Sequence, residues 1–500
     1  MSIALLLEMA AANNPDGVAA ICADRSVTTS QLMALAEGGS AVIAAAGARH
    51  VAYVGTGGLL LPALIFSCAR AGVPFTPLNY RLSADTLGQL LIRLADPLVV
   101  ADADYVDVLA GRGKRPLTSE EFLSAAHSAG PAEDPSCDPD GAAVVLFTSG
   151  TTSTPKAVEL SHNNLTSYIT GTVEFASAAD DDAVLVCVPP YHIAGVNAAL
   201  SNLYAGRKMV YLPNFDAREW IRLVRDEGVT TATVVPTMLD RIVSELDREP
   251  VSLPSLRNLA YGGSKVPLPL IRKALELLPD VGFVNAYGLT ETSSTISVLT
   301  PDDHRAAIGA TDEGVARRLG SVGQPVPGIE VQIRGDDGSV LGPGETGELF
   351  VRGTQVSGRY TGAGSLLDSH GWFATHDLAS MDADGYLFLG GRSDDTIIRG
   401  GENIAPAELE DVLVEHPGVR HCAVVGVEDR EWGQIIVAAV VPASAEHPDA
   451  EQLREYMRAN LRGSRTPDRI VFCEELPTNA TGKVLRGQLA AELQNAAARQ

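Results

Sequence analysis

Short apolar runs alternate with helical stretches through the first half of the chain. The runs are rich in β-branched residues and carry few charges, a pattern typical of buried strands. The stretches between them, such as Asp216–Asp226, have the composition and spacing of helices. This alternation predicts an α/β fold of layered sheets. The predicted strands are His50–Val54, Leu98–Ala101, Ala143–Phe147, Val184–Val188, Lys208–Leu212 and Thr231–Val235.

The pattern changes at Val331. Apolar residues alternate with polar ones over Val331–Gly358, between glycine-rich turns, which predicts a small antiparallel β unit. A polar stretch at Gly390–Asp395 then precedes an α+β pattern of about 100 residues, the size of a separate domain. We therefore expect one domain over residues 1–393 and a second, mobile one over 394–500. The elements predicted in the second are the helices Pro406–Glu415 and Asp449–Arg462 and the strands His421–Val427 and Ile435–Pro442.

Two apolar regions have the hydrophobic composition of targeting or membrane-spanning segments, but neither predicts such a segment. Ser2–Glu8 lacks the basic residues of a signal peptide and ends in an acidic residue, so we expect a short amphipathic helix. Val51–Ala69 is uncharged, but three glycines and Pro62 interrupt it. It therefore predicts a strand, a turn and a buried helix, and no integral membrane segment.

The composition is that of a globular protein with more than one domain. The chain has 500 residues, of which 45% are apolar and 20% are charged, and this length exceeds what one core usually holds. The net charge of −24 argues against binding to nucleic acid or to anionic lipid. The six cysteines are scattered, without metal-ligand spacing, so we expect reduced thiols and a cytoplasmic location. No oligomeric state is predicted.

One polar loop offers the chemistry that a polyphosphate needs. It covers Thr148–Lys156 and directly follows the apolar run Ala143–Phe147. Hydroxyl groups, a glycine N–H and one lysine lie on this segment, and such donors bind phosphate oxygens. It is not a Walker A loop, because Pro155 stands where that motif has glycine. Taken alone, the segment is equally typical of a Ser/Thr-rich surface loop.

Four further segments fit an ATP site. Tyr287–Glu291 combines an aromatic ring for a base, a hydroxyl for a phosphate and a carboxylate for Mg²⁺. Gly371–Asp377 ends in a carboxylate suited to ribose hydroxyls, and Gly391-Arg392 adds a cation. Pro477–Lys483 places a lysine on a turn near the end of the chain. Each segment is weak alone, but their joint presence in this order indicates a nucleotide site.

Together these motifs closely resemble those of the adenylate-forming superfamily, which contains acyl-CoA synthetases, adenylation enzymes and beetle luciferases. The resemblance covers about Asn14 to Leu489 and is greatest to the acyl-CoA synthetases (fatty-acid–CoA ligases), which implies a place in fatty-acid metabolism. It implies a large N-terminal domain of layered sheets with helices and a distorted β-barrel, and a small C-terminal domain. Other motifs that carry it are Pro190–His192, Tyr261–Gly263 and Gly391–Glu408.

The resemblance also implies a reaction in two steps. A small-molecule carboxylic acid attacks the α-phosphorus of MgATP, which gives an acyl adenylate and pyrophosphate. The thiol of coenzyme A then takes the acyl group. Between the steps the C-terminal domain rotates about a hinge, which corresponds to Asp394. The rotation would withdraw Lys483 and bring Gly400 and Gly401 to the thiol channel, where glycines let a narrow pantetheine chain pass.

Roles for individual residues follow from the same resemblance. Glu291 and Thr151 would hold Mg²⁺, and Thr290 would contact the α-phosphate. Lys483 would reach the α-phosphate and the substrate carboxylate, while His192 would border the acyl pocket. The residues implied at the β- and γ-phosphates are Thr148, Ser149, Gly150, Thr151, Thr152 and Lys156. The residues implied at the adenosine are Gly263, Ser264 and Tyr287 for adenine, and Asp377 and Arg392 for ribose.

The chain departs from the family's pattern at four positions. Ser153 and Ala157 replace glycines in and next to the phosphate loop. A non-glycine residue at positive φ costs about 1–2 kcal/mol, so we expect a stiffer loop or weaker ATP binding. His376 replaces the glycine before Asp377, which affects the expected ribose geometry. Lys265 stands where proline is common, and we expect it to face solvent.

The predicted acyl pocket is apolar. Pro190–Gly195 lacks the aspartate that pairs with the substrate amine in amino-acid adenylation domains, and this favours an aliphatic or simple aryl acid. Gly400-Gly401 favours free coenzyme A as the acceptor. An acyl-AMP ligase that loads a carrier-protein phosphopantetheine is the alternative. A degenerate protein that binds nucleotide or acyl ligand without turnover is a lesser one, because Lys156, Glu291 and Lys483 are retained.

Overall fold

The structure is a computed structural model, and it describes residues 1–111, 115–130, 137–148, 155–444, 448–461, 465–479 and 482–497. Within these ranges the strands form two large sheets, a smaller antiparallel sheet and a C-terminal sheet. The strands are β1 (Val18–Cys22), β2 (Arg25–Thr28), β3 (His50–Val54), β4 (Phe75–Leu78), β5 (Pro97–Ala101), β6 (Leu117–Thr118), β7 (Ala142–Thr148), β8 (Lys156–Ser161), β9 (Ala183–Val186), β10 (Lys208–Tyr211), β11 (Thr231–Val234), β12 (Asn258–Gly262), β13 (Gly282–Leu289), β14 (Ser294–Leu299), β15 (Gln324–Pro325), β16 (Glu330–Arg334), β17 (Gly347–Arg352), β18 (Arg359–Tyr360), β19 (Gly364–Ser365), β20 (Phe373–Met381), β21 (Leu387–Arg392), β22 (Ile397–Arg399), β23 (Glu402–Ile404), β24 (Val419–Asp429), β25 (Gly433–Pro442) and β26 (Arg469–Phe472).

Helices connect these strands and cover the sheets. The helices are α1 (Ala4–Asn13), α2 (Thr29–Ala45), α3 (Leu60–Ala71), α4 (Ala84–Ile92), α5 (Ala103–Val106), α6 (Ser119–Ser128), α7 (His162–Thr172), α8 (Ile193–Ala205), α9 (Ala217–Asp226), α10 (Pro236–Arg248), α11 (Leu268–Leu277), α12 (Pro301–Ile308), α13 (Glu313–Arg317), α14 (Pro406–Val414), α15 (Ala450–Asn460) and α16 (Arg486–Ala497). Short 3₁₀ turns lie at Asp107–Leu109, Thr290–Thr292, Arg318–Gly320 and Ser393–Asp395.

The first large sheet is parallel at its centre. Its strand order is β15-β14-β13-β12-β11-β9-β10-β1-β2, and the strands from β10 to β13 pair in parallel. Crossover helices cover such strands on both faces, and β9 is buried along its whole length. Gly262 of β12 lies opposite Ala286 of β13. The residues that follow these two strands therefore meet at one edge of the sheet, where α/β proteins commonly bind ligands.

The second large sheet carries the ends of the predicted phosphate loop. Its order is β19-β18-β8-β7-β4-β3-β5-β6. The centre is parallel, with β3 between β4 and β5, and β3 is buried throughout, as its apolar sequence predicts. β7 and β8 are antiparallel, with Thr148 opposite Lys156, so both ends of the loop lie at one point of the sheet. The short strand β18 extends the sheet beyond β8.

The main core joins the two large sheets through helices. Tyr53 of β3 and Val186 of β9 belong to one buried cluster with Phe66 of α3 and Leu200 of α8. α3 is fully buried from Leu60 to Ala69, which explains the long uncharged stretch in the sequence. Burial of this apolar surface is the dominant favourable contribution to folding.

The predicted antiparallel unit is present and has the order β16-β17-β20-β21. Its inner residues Ile333, Leu349 and Leu387 pack with Ile296 of β14, so the unit shares a core with the edge of the first large sheet. β20 and β21 are in a register that places Asp377 directly opposite Arg392.

The C-terminal sheet has the order β23-β22-β25-β24, with β26 beside β25. α14 and α15 pack on it around a separate core that includes Leu409, Val424, Ile436 and Leu453. The chain enters this region through the 3₁₀ turn Ser393–Asp395. The predicted boundary between residues 1–393 and 394–500 falls within this turn and stays a prediction.

Most predicted elements are present, and their ends differ for identifiable reasons. α9 begins at Ala217 and not at Asp216, because the Asp216 side chain caps the helix by accepting a hydrogen bond from the Glu219 N–H at 2.9 Å. β9 ends at Val186, two residues earlier than predicted, shortly before Pro189 and Pro190, which have no N–H for a strand ladder. The predicted fold class, α/β with a large sheet-rich N-terminal part and a small C-terminal part, is confirmed.

Among the described residues, none of the helices combines the length and the apolar character needed to span a bilayer.

Candidate active site

The phosphate loop is described only at its two ends. Thr148 ends β7, Lys156 begins β8, and the Thr148 Oγ1 hydroxyl lies 3.5 Å from the Lys156 carbonyl oxygen. The Lys156 ammonium lies 5.6 Å from the ring centroid of Tyr360, within the range of a cation–π contact. The strand pairing thus fixes where the loop starts and ends. The predicted phosphate-binding residues Ser149, Gly150, Thr151 and Thr152, and the departure at Ser153, lie outside the described residues.

Glu291 is held at both its main chain and its side chain. It lies in the 3₁₀ turn Thr290–Thr292 that directly follows β13. Its carbonyl oxygen accepts the Ser357 N–H at 2.8 Å, and its Oε1 accepts the hydroxyl of Tyr360 at 2.7 Å. The hydrogen bond from Tyr360 therefore gives the carboxylate a defined direction. Thr290 precedes it in the same turn and is partly buried.

The carboxylate of Glu291 offers the hard oxygen atoms that Mg²⁺ prefers as ligands. Over the described residues, no group of three or more His, Cys, Asp or Glu side chains converges to form a complete metal centre. Mg²⁺ commonly binds through one or two carboxylates together with substrate phosphates. The single carboxylate of Glu291 therefore suits a magnesium ion that arrives with ATP.

Asp377 lies on β20 and is 7% exposed. The hydroxyl of Tyr287 donates to its Oδ2 at 2.5 Å, and an Arg392 guanidinium nitrogen lies 3.3 Å from its Oδ1. Burial and the neighbouring Asp377 carboxylate raise the pKa of Tyr287, so the phenol stays protonated and donates. Ribose hydroxyls can reach this carboxylate only by sharing it with Tyr287 and Arg392. The three side chains form one hydrogen-bonded group, and their roles at the adenosine stay a prediction.

The predicted adenine border lies at the ends of two neighbouring strands. Gly263 follows β12 and has φ +87°, a left-handed conformation that favours glycine. A Cβ on Gly262 would lie 2.2 Å from the Ala286 carbonyl oxygen, so β12 and β13 approach closely here. Ser264 continues this loop and is partly buried, and Tyr287 directly follows Ala286. The residues predicted at the adenine therefore lie at one edge of the first large sheet, and the Tyr287 hydroxyl connects them to Asp377 of β20.

The C-terminal lysine lies close to the predicted ribose group. Gly482 has φ +76°, and a Cβ there would lie 2.6 Å from the Thr237 Cγ2 at the start of α10. Lys483 keeps contact with solvent, but partial burial of its ammonium group lowers its pKa. The positive charge of Arg392 lowers this pKa further. The carboxylates of Asp377 and Asp395 act in the opposite direction. Lys483 is thus near enough to Asp377 and Arg392 to respond to both charges.

The residues predicted for the hinge and the thiol channel lie in exposed turns. Asp394 lies exposed in the 3₁₀ turn Ser393–Asp395. Gly400 and Gly401 form the exposed turn between β22 and β23 and have φ of +58° and +86°. A Cβ on Gly400 would lie 3.0 Å from the Trp432 ring. A Cβ on Gly401 would have no described atom within 4 Å.

His192 lies at the N-cap position of α8, with its ring 4.5 Å from that of Tyr191 between centroids. Burial lowers its pKa to about 4, with a smaller effect from the charge of Arg81. The imidazole is therefore neutral at pH 7. Its Nε2 is buried and has no hydrogen-bond partner among the described residues, and the same is true of the Tyr191 hydroxyl. These two atoms mark a place where an incoming group can supply a hydrogen bond.

The departures from the family's pattern have different outcomes. The expectation of strain at Ala157 is wrong, because this residue lies within β8 opposite Phe147 and does not have positive φ. His376 does occupy a glycine-like position, with φ +60° and its Nδ1 2.8 Å from Glu348. Lys265 is half exposed, but it does not simply face solvent, because its ammonium pairs with Asp411 of α14 at 2.6 Å.

Sequence reasoning missed three residues of this site. Tyr360 contacts both Lys156 and Glu291, but it lies in a strand too short to show a period. Thr237 contacts Gly482 across 245 positions of the chain, and Asp395 lies near Lys483. The only sequence signal for Tyr360 is its place between glycines at 358 and 362, a spacing that indicates a turn on each side of it.

The sequence matches two family descriptions over most of its length. Residues 7–361 match the AMP-binding enzyme family, and residues 408–483 match the AMP-binding enzyme C-terminal domain. The chain belongs to the AMP-binding enzyme family. The predicted membership of the adenylate-forming superfamily is thereby confirmed.

Similar proteins cover nearly the whole chain. An indoleacetate–CoA ligase from Aromatoleum aromaticum is 33% identical over 92% of each chain. A fatty acid–[acyl-carrier-protein] ligase, ScoC, from Streptomyces coeruleorubidus is 32% identical over 96% of this chain and 94% of its own. The structure of o-succinylbenzoate coenzyme A synthetase (MenE) from Bacillus subtilis with ATP and magnesium ion has a TM-score of 0.83 and 28% identity, over 97% of this chain and 98% of that one. The predicted enzyme class, an ATP-dependent, AMP-forming acid–thiol ligase, is confirmed.

Proposed function

We propose that this AMP-binding enzyme is an acyl-CoA ligase that activates an aliphatic or simple aryl carboxylic acid. It would form an acyl adenylate with release of pyrophosphate and then transfer the acyl group to coenzyme A. The observation that carries the proposal is the close approach of the Gly482-Lys483 loop to Thr237 of the N-terminal part, near enough to Asp377 and Arg392 for their charges to affect the pKa of Lys483. A lysine from the C-terminal part and a ribose-binding carboxylate from the N-terminal part then frame one nucleotide.

The predicted cofactors, ATP and Mg²⁺, and the co-substrate coenzyme A are confirmed at the level of the enzyme class. Mg²⁺ supplies charge neutralisation at the phosphates when it is bound, with Glu291 as its ligand from the described residues. Lys156 would hold the phosphates that leave as pyrophosphate. Lys483 would stabilise the negative charge that develops on the α-phosphate oxygens, and such preorganised charge usually contributes more to catalysis than any other single effect. No general base is needed, because a carboxylate is already a nucleophile at pH 7.

The proposed substrate is a monocarboxylic acid with an uncharged body. His192 is neutral at pH 7 because burial lowers its pKa to about 4, so it cannot act as the counter-ion for a second carboxylate. Its free Nε2 and the Tyr191 hydroxyl offer hydrogen bonds to an uncharged polar group, such as a phenol or a ring nitrogen. The relative whose name specifies indoleacetate, an aryl monocarboxylate, supports an aryl acid within this class. A role in fatty-acid metabolism is therefore the less favoured form of the proposal.

The test is a screen of aliphatic, dicarboxylic and aryl acids for AMP release in the presence of ATP, Mg²⁺ and coenzyme A. We expect release with aryl or aliphatic monocarboxylates and formation of the matching acyl-CoA. Activity confined to dicarboxylates would contradict the assignment of the pocket. Lack of acid-dependent ATP–pyrophosphate exchange across the whole panel would contradict the proposed function.

A second candidate is a ligase that loads a carrier-protein phosphopantetheine, which the similarity to ScoC favours. It shares the first step and differs only in the acceptor thiol. Pyrophosphate exchange without acyl-CoA formation, together with acylation of a phosphopantetheinyl carrier protein, would favour this candidate. A cytoplasmic location stays a prediction for both.

A further inference from the structure

Tyr360 lies between two residues that the proposed function places at the triphosphate of MgATP. Its hydroxyl donates to Oε1 of Glu291 at 2.7 Å. The face of its ring lies 5.6 Å from the Lys156 ammonium. One side chain therefore contacts both the carboxylate assigned to Mg²⁺ and the lysine assigned to the phosphates.

The backbone around Tyr360 makes the same connection. Tyr360 pairs with Val158 in β8, two residues after Lys156. Ser357, on the same segment, donates its N–H to the Glu291 carbonyl oxygen at 2.8 Å and its hydroxyl to the Glu159 carbonyl oxygen. The segment thus links the strand that follows the phosphate loop to the turn that carries Glu291, and Tyr360 adds the side-chain part of this link.

We propose that Tyr360 is a positioning residue that fixes the Glu291 carboxylate for Mg²⁺ and the Lys156 ammonium for the phosphates. The proposal rests on the proposed function, because that function assigns the roles of Glu291 and Lys156. Tyr360 itself does not bind the metal or the nucleotide. It acts through the two residues it contacts.

The chemistry of the contact fits this role. A carboxylate has two oxygens, and the Tyr360 hydroxyl bonds one of them, which leaves the other for a cation. A tyrosine phenol has an ordinary pKa of about 10, so at neutral pH its hydroxyl is a donor and not a phenolate ligand. A hydrogen bond to a charged group is stronger than one between neutral groups, so it can hold the carboxylate before the metal arrives.

Packing is the alternative explanation, because the Tyr360 ring also touches the main core. The variant Tyr360→Phe separates the two explanations. It keeps the ring, the packing and the cation–π contact with Lys156, and it removes only the hydrogen bond to Glu291. Tyr360→Leu removes the ring contact with Lys156 as well.

The chain contains a matched control at Tyr386. Its hydroxyl donates to Oδ1 of Asp303 at 2.6 Å, and the Arg318 guanidinium lies 4.2 Å from its ring centroid. The local arrangement is the same as at Tyr360, a phenol on a carboxylate with a cation over the ring, but none of these residues belongs to the proposed site. Tyr386→Phe therefore measures the cost of losing such a hydrogen bond anywhere in the fold.

The experiment measures metal binding directly and separately from turnover. Mn²⁺ would be titrated by electron paramagnetic resonance into each protein with the non-reacting α,β-methylene analogue of ATP. We expect Tyr360→Phe to weaken Mn²⁺ binding roughly tenfold, as for the loss of one hydrogen bond to a charged group, and Tyr386→Phe to leave it unchanged. In ATP–pyrophosphate exchange, the Mg²⁺ concentration for half-maximal rate should rise by the same factor.

The double variant Glu291→Gln/Tyr360→Phe completes the test. If Tyr360 acts through Glu291, the second change should have little further effect on Mn²⁺ binding. Unchanged Mn²⁺ affinity in Tyr360→Phe, or equal losses in Tyr360→Phe and Tyr386→Phe, would overturn the proposal. Wild-type protein that binds Mn²⁺ with the analogue but catalyses no acid-dependent exchange would overturn the proposed function and leave the role of Tyr360 intact.

Discussion

Lys156 and Lys483 approach the proposed nucleotide site from two regions that are held in different ways. Lys156 begins β8, which pairs with β7 on one side and β18 on the other. Lys483 lies on a loop beside Gly482, which contacts Thr237 of the N-terminal part. Strand pairing fixes the first lysine, while a loop contact places the second.

Two ion pairs between the C-terminal and N-terminal parts have at least one exposed partner. Lys265 pairs with Asp411 while 47% and 54% of these side chains are exposed, and Arg420, 53% exposed, pairs at 3.1 Å with Asp240, which is 21% exposed. Such exposed pairs contribute about 0–1 kcal/mol each. These two pairs would therefore add little to the free energy needed to move the C-terminal part, as the predicted rotation requires.

The largest expected effect is the loss of the Lys483 side chain. Lys483→Ala should lower acid-dependent ATP–pyrophosphate exchange by about 100- to 1,000-fold, because it removes one charge that stabilises the transition state. Thioester formation from supplied acyl adenylate should be spared. Lys273→Ala, which removes a lysine paired with Asp247 on the surface, is the control. Equal damage to both half-reactions would contradict a lysine that serves only the first.

The next effect concerns the hinge. Asp394→Pro should retain ATP–pyrophosphate exchange and lower the overall rate of acyl-CoA formation, because proline fixes φ and restricts rotation in the turn Ser393–Asp395. Single-turnover measurements of each half-reaction would check this. An overall rate equal to that of the wild type would show that the C-terminal part does not rotate about this residue.

A smaller effect is expected from pH. Crowding and the charge of Arg392 lower the pKa of Lys483, so its ammonium form is lost as pH rises through a value below the usual lysine pKa of about 10.4. Pyrophosphate exchange should therefore fall on the alkaline side earlier than an ordinary lysine would allow. Lys483→Arg should move that fall to higher pH, since arginine stays protonated. An alkaline limb that is identical in both proteins would assign it to another group.

The smallest effect is expected from the exposed pairs. Lys265→Met removes the pair with Asp411, which should change the balance between the two half-reactions by no more than a few-fold, given about 0–1 kcal/mol for such a pair. Lys273→Met breaks an exposed pair within the N-terminal part and should leave the balance unchanged. If Lys265→Met lowered pyrophosphate exchange as much as Lys483→Ala, the pair of Lys265 with Asp411, and not the loop at Gly482, would hold the C-terminal part in place for adenylation.

The sequence predicts those features that are local. The strand His50–Val54 has the predicted bounds because an uninterrupted apolar run is a strand signal in itself. The residues of the ribose group were predicted singly, but their register could not be, because Asp377 and Arg392 face each other only once β20 and β21 pair. The pair of Lys265 with Asp411 joins side chains 146 positions apart, and no local pattern reports such a contact. The expectation at Ala157 was wrong because a family's glycine does not by itself require positive φ.

The register of β7 and β8 has a consequence for how this enzyme family can vary. Thr148 and Lys156 lie directly opposite each other, so the chain leaves the sheet and returns to it at the same point. We expect a change in the connecting residues to leave the pairing of these two strands, and with it the position of Lys156, intact. The lysine and the loop before it are therefore separable parts, and each can be exchanged while the other keeps its place.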